Sequence, residues 1–222
     1  MNKGKNKILA GKRLYIFLFF IAVLAGSGLF YYFYWMRTPQ YAVKIVADAV
    51  SKHDTETFYK YVDVDSVLDG AYDDYFTVYF AEDPFMSKNP IKNFAAVLVK
   101  MAKPLAVSEM KKKVDYYVKT GNWQEENTGQ DNNEAAALTG KNSDITGLAA
   151  IKDMHFQKIK FTKKESDKAI VGLAFTEDGE KDETVINIKM EKQADGVWKV
   201  VSIDNMKEYA EKIIARKASK EG

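Results

Sequence analysis

The segment HFQKIKFTKKESDKAIVGLAFTEDGEKDETVINIKMEKQADGVWKVVSI, residues 155–203, decides the fold class. It alternates in four short runs, 155–163, 169–176, 184–191 and 197–203. Between them stand the turn sequences Glu165-Ser166-Asp167, Glu177-Asp178-Gly179-Glu180 and Asp195-Gly196. A strand shows successive side chains to opposite faces, and short alternating runs joined by tight polar turns read as an antiparallel meander. In the last run, alternation puts Trp198 and Val200 on one face and Lys199 on the wetter one. Trp198 is therefore expected to point toward helices, with Tyr72, Tyr75 and Tyr79 as aromatic partners. Asn205 with Glu208 has the spacing of a capping box, which starts a final helix with Tyr209 and Ile213 on its apolar side.

Upstream the period changes to that of a helix. Thr38-Pro39 is a cap followed by a first-turn proline. Tyr41, Ile45 and Ala49 then form a stripe that ends near His53-Asp54. Asp54 caps a short second helix with Phe58 and Tyr61 facing inward. Asp65 is placed to cap a third, running to about Phe80, with Leu68, Ala71, Tyr72, Tyr75 and Tyr79 on one face. Asp83-Pro84 breaks the chain and Asn89-Pro90 restarts it. Ile91, Phe94, Leu98 and Met101 recur at helical spacing, Pro104 interrupts, and Val107, Met110, Val114 and Tyr117 make one more helix, stopped by Gly121. Residues 121–146 are rich in Asn, Gln, Gly, Glu and Thr, the composition of a flexible loop; a lid over an active site is the alternative. Helices followed by strands imply an α+β domain, with the helices packed on one face of the sheet.

Ahead of this domain, residues 14–36 carry no charge and are long enough for a transmembrane helix, which needs about 20 apolar residues. Lys3, Lys5, Lys7, Lys12 and Arg13 precede the run, with no acid among them. Basic flanks stay in the cytoplasm, so residues 1–13 form a cytoplasmic tail and residues 38–222 an extracytoplasmic domain. Tyr31, Tyr32, Tyr34 and Trp35 would lie at the outer headgroup level. A cleaved signal peptide is the competing reading, with Val23 and Ala25 small enough to flank a cleavage site. The run stays apolar as far as Trp35, which favours a retained anchor whose first partner is the lipid bilayer.

Composition removes several function classes. The net charge of +2 gives no field for nucleic acid, so none is expected as a partner. Cysteine is absent, which excludes disulfides, thiolate chemistry and cysteine-based zinc sites. The hydrolase elbow, the phosphate loop and the dinucleotide fingerprint are also missing, and no cofactor or metal is expected.

The remaining candidates are few. His53 lies in a turn, where a solvated or capping role is expected. His155 starts a strand beside Asp153 and could act as a general base. Asp65, Asp69 and Asp73 repeat at i, i+4, an arrangement that repels unless it is solvated or binds a cation. The spacing fails as a calcium EF-hand because Val67 and Leu68 stand where a ligand and a glycine are required. Ligand-binding candidates are Tyr72, Tyr75, Tyr79, His155 and Trp198.

The segments TPQYAVKIVADAVSKHD, residues 38–54, and TFYKYVDVDSV, residues 57–67, resemble the start of an uncharacterised bacterial membrane-anchored family catalogued as domain of unknown function 2939. The resemblance implies a cell-envelope protein and carries no catalytic residues. The sequence GVWKVV, residues 196–201, is loosely similar to the nuclear-transport-factor-like cone domains, which hold ligands or enzyme sites between helices and a bent sheet. The expectation is a non-catalytic module binding an envelope protein or small ligand. The alternative is an enzyme with His155 or a buried Asp as base. A filled core with an exposed apolar patch would favour the module; a polar group inside a water-poor pocket would favour the enzyme.

Overall fold

The computed structural model describes residues 4–84, 86–123, 154–177 and 183–220. Phe85, Asp153 and positions 124–146 of the expected loop lie outside the described residues. The chain opens with α1 (Gly4–Tyr34) and a single 3-10 turn (Trp35–Arg37). Of this, Tyr15–Arg37 is long and apolar enough to cross a membrane, and none of it is buried against the rest of the chain. A signal sequence has the same signature.

Thr38 then turns extended, and its Oγ1 accepts the Tyr41 N–H at 3.2 Å. With Pro39 in the first turn, this starts α2 (Pro39–Ser51) as its sequence implies. His53 follows in the left-handed region at φ 58°. Asp54 caps α3 (Thr55–Tyr61) by accepting the Thr57 N–H at 3.0 Å.

The cap of α4 (Val64–Glu82) is Asp63 and not Asp65: Asp63 Oδ1 accepts the Ser66 N–H at 3.1 Å. Val62 makes an isolated parallel bridge to Val200, and the Asp63 N–H donates to the Val200 carbonyl at 2.8 Å. That pairing holds the chain extended up to Asp63, so the helix cannot start earlier than Val64, and the Asp63 cap starts it there.

Pro104 does not interrupt the next helix. α5 runs unbroken from Lys92 to Thr120 with the proline inside it. An interior proline costs about 3 kcal/mol through one lost hydrogen bond and a clash. Here tertiary contacts on both sides offset that loss, with half-buried Val99 before it and half-buried Ala106 and Val107 and buried Met110 after it packed on the core. Gly121 ends the helix at φ 73°.

The meander is present as read. β1 (Met154–Glu165), β2 (Lys168–Glu177), β3 (Thr184–Lys192) and β4 (Trp198–Ile203) pair antiparallel in the order β1-β2-β3-β4. Two register shifts in β1, near Gln157 and Lys160, break its strict alternation. Phe161 lies across Gly172, its registered partner, so closely that a Cβ there would sit 2.4 Å from the ring. The glycine is needed for that contact.

The final helix, α6 (Met206–Lys220), forms where expected, but the Asn205 side chain is used elsewhere. It accepts the Asn187 N–H and donates to the Val185 carbonyl, both at 2.8 Å. The residue thus fastens the entry of α6 to β3.

Two apolar clusters hold the domain together. The larger joins Phe58, α4, Met110 and Val118 of α5, and Met206, Tyr209, Ala210, Ile213 and Ile214 of α6. The smaller seats α2, through Ala42 and Val43, against Val171, Met190, Trp198 and Val200 of the sheet. The architecture is α+β, with a helical first half, a four-stranded C-terminal sheet and a closing helix.

Candidate functional site

The five ligand-binding candidates fall in three separate places. Tyr72 and Tyr75 are buried on α4 and Tyr79 is half-buried. Their ring centroids lie 4.5, 5.3 and 6.0 Å from that of Phe76, so they pack around a neighbour on their own helix. The Tyr72 hydroxyl donates to the Val99 carbonyl at 2.7 Å, tying α4 to α5. Burial pushes the Tyr72 and Tyr79 phenols above their ordinary pKa.

Trp198 is 1% exposed and points to the helical side, but it joins the cluster on α2 and not the tyrosines. Its indole N–H donates to the Arg37 carbonyl at 2.9 Å. The sheet is thereby bonded to the last residue of the 3-10 turn that follows α1. His155 stands exposed on the edge strand β1, opposite Thr176.

The acid repeat on α4 is answered by α5. Lys103 reaches both Asp69 and Asp73 at 2.8 Å, and Lys111 reaches Asp65 at 2.6 Å. Burial alone would lower Lys103; the hydrogen bonds and charge of Asp69 and Asp73 outweigh it and hold its pKa above the ordinary lysine value. The same pairing with Asp65 raises Lys111. The like-charge cost of the repeat is met by lysines of the adjacent helix. Among the described residues no group of three or more His, Asp or Glu side chains is placed to hold a metal ion.

His53 has a structural partner. Its Nδ1 is 3.0 Å from the Val118 carbonyl, the orientation in which Nδ1–H donates, and its ring lies against Gly121. It joins the end of α2 to the end of α5.

The most enclosed carboxylate among those in ion pairs is Glu177, which takes the Arg216 guanidinium and accepts the Thr184 hydroxyl at 2.9 Å. Nearby, the Tyr209 hydroxyl donates to the Met154 sulfur at 3.3 Å. Burial first, and then the Glu177 charge, push that phenol up to about 12. Such a group holds its proton at neutral pH and is no base.

What stands out on the surface is the first half of α5. Ile91, Phe94, Val97, Leu98, Met101 and Leu105 are all exposed, Phe94 by 65% and Met101 by 73%. Their spacing places them on one side of the helix. Val99, Ala106, Val107, Met110, Val114 and Val118, which pack inward, lie roughly opposite at 3.6 residues per turn. α5 is therefore apolar on two faces, and only one is covered by the domain. The spacing of Ile91, Phe94, Leu98 and Met101 is visible in the sequence, but its outward direction is not. The signal that could have found it is the second apolar repeat on the same helix. A contiguous apolar surface on a folded domain marks a place of contact with a protein, a ligand or a membrane.

Comparison of the chain with protein-family models, with curated proteins and with solved structures gives no match.

Proposed function

We propose that this protein is a single-pass membrane protein with its N-terminus in the cytoplasm, whose extracytoplasmic domain is a non-catalytic interaction module of the bacterial cell envelope. The observation that carries the reading is the pairing of a well-packed interior with an uncovered apolar face on α5. The exposed side chains from Phe94 to Leu105, with Ile91 at the N-cap, belong to a helix whose other face is already committed. Placement outside the cytoplasm rests on the basic residues before the apolar run at residues 14–36 and the sparse ones after it. The envelope assignment rests on the resemblance of residues 38–67 to the uncharacterised membrane-anchored family. The enzyme reading has less support. Its candidate base, His155, is exposed on an edge strand, while the enclosed Glu177 is taken up by Arg216 and Thr184.

In-cell crosslinking from a photoreactive residue at Phe94 or Met101 tests the module. Adducts at these positions, absent with the same group at the exposed Glu211 of α6, are expected. Equal labelling from all three positions would overturn the reading. An export-dependent reporter fused after Gly222 should be active, and a silent one with an active cytoplasmic counterpart would overturn the topology.

A further inference from the structure

The uncovered face of α5 has the spacing of a coiled-coil seam. Ile91 at the N-cap, then Phe94, Leu98, Met101 and Leu105, follow one another at three, four, three and four residues. That is the a and d repeat of a heptad, about 3.5 residues per step, which another helix fits. On the same count the domain takes the opposite side: Val99 and Ala106 stand at b, Val107 and Val114 at c, and Met110 at f. The lysines of this half, Lys92, Lys100 and Lys103, fall at b, c and f as well, off the seam.

The flanking positions decide which helix. Where two different helices pair, charges at e and g choose the partner and its direction. Here e and g are Ala95, Val97, Ala102 and Pro104. The seam has no charge code for a foreign helix and sets no like charges against a copy of itself. Its end decides the direction. The next a position is Lys112, and the next d after Ser108 is Asp115. In a parallel pair each of these charges would meet its own copy. In an antiparallel pair with Leu98 opposite Met101, Phe94 lies opposite Leu105 and the small Ser108 opposite Ile91. Lys112 and Asp115 then pass beyond the start of the other helix.

We infer that the uncovered face of α5 is a homodimer seam, along which two copies of this chain pair antiparallel over residues 91–108, Leu98 against Met101 and Phe94 against Leu105. The inference rests on the interaction-module reading and names its partner. The five seam residues and Val97 stand 43–73% in water. With about 200 Å² for an aromatic side chain and less for an aliphatic one, they offer on the order of 600 Å² per copy. The edges of the helix bring this near the roughly 800 Å² per partner of a standard interface. Two heptads are too short to pair free helices, but the domain already holds α5 in shape, so pairing does not have to order it.

The absence of cysteine makes the test direct on the full chain in detergent. Single-cysteine variants are treated with a short bismaleimide and run on denaturing gels. Phe94→Cys chains mixed with Leu105→Cys chains should crosslink. Phe94→Cys alone should not, because the two copies of position 94 stand about 16 Å apart along the axis at about 1.5 Å per residue. Leu98→Lys should raise the dimer dissociation constant, read by analytical ultracentrifugation, about 100-fold, because like charges then oppose each other across a desolvated seam. Its circular dichroism should match the parent, since the domain leaves Leu98 exposed. Crosslinks in Phe94→Cys alone and none in the mixture show a parallel pair and overturn the antiparallel seam. A dimer that ignores Leu98→Lys is held elsewhere and overturns the seam on α5. A monomer that captures a different protein from positions 94 and 101 in cells overturns self-pairing and leaves the module standing. A monomer labelled no more from those positions than from Glu211 overturns both.

Discussion

Replacing Trp198 tests how the sheet is joined to the rest of the chain. The indole is 1% exposed within the cluster that seats α2 on the sheet, and its N–H donates to the Arg37 carbonyl at 2.9 Å. Trp198→Ala removes a large buried aromatic, a change that costs about 3–5 kcal/mol. The orphaned carbonyl adds little, because Arg37 is exposed and water replaces the donor. Trp198→Phe keeps most of the apolar volume and loses the hydrogen bond, so about 1 kcal/mol is expected. The difference between the two variants isolates packing from the bond. Urea unfolding of the full chain in detergent, followed by far-ultraviolet circular dichroism, reads both; fluorescence would mix in Trp35 and Trp123. A loss below about 1 kcal/mol for Trp198→Ala, typical of a surface position, would refute the packing account and return Trp198 to the ligand-lining residues.

Gly172→Ala should destabilise by about 1–3 kcal/mol, since the new methyl collides with the Phe161 ring. Phe161→Ala in the same chain should remove most of that penalty in a double-mutant cycle, and strict additivity would refute the contact. Lys103→Ala should cost about 1 kcal/mol, no more, because both carboxylates it meets stand in water; Lys103→Met should recover part of this through its buried stem. For Tyr209 the sign follows from its raised pKa: the unfolded phenol ionises near 10, while the folded one keeps its proton to about 12. Stability is therefore whole below pH 10 and falls as pH rises toward 12. The fall should be shallower in Tyr209→Phe, and superimposed curves would count against it.

The elements that the sequence makes legible are those set by local chemistry. The four strands, the Thr38 and Asp54 caps, and the Gly121 stop all follow from residues a few positions apart; the turn expected at 177–180 lies outside the described residues from position 178 on. The misreadings share one cause, a distant partner that overrules a local preference. Asp65 is a sound cap in isolation, but β4 holds Asp63 and the helix starts there. Asn205 is well spaced for a capping box, but β3 offers its side chain two bonds. Trp198 was legible as buried and illegible in its partner, because the bond to Arg37 spans 161 positions. The α4–α5 pairing could have been found: Asp65 and Asp73 are eight residues apart, and so are the Lys111 and Lys103 that meet them on an antiparallel helix.

That pairing also explains why the apolar stripe faces outward. The fully buried residues of α5, Met110 and Val118, lie in its second half. The first half is held by half-buried Val99, Ala106 and Val107 and by two polar attachments: the Tyr72 hydroxyl on the Val99 carbonyl, and Lys103 between Asp69 and Asp73. With two apolar faces to choose from, hydrophobic burial alone would leave the rotation of this half undecided. A half-turn would bury Phe94, Leu98 and Met101 and expose Val99 and Ala106. The Lys103 pair is lost in that rotation, since its acids lie on one side of α4, and so is the tyrosine bond; each favours the observed face by about 1 kcal/mol. Exposing the bulkier face costs apolar contact with the core, roughly 25 cal/mol for each Å² left in water. A domain that fixes this half by polar bonds while leaving Phe94 and Met101 outside is arranged for an external surface to cover them.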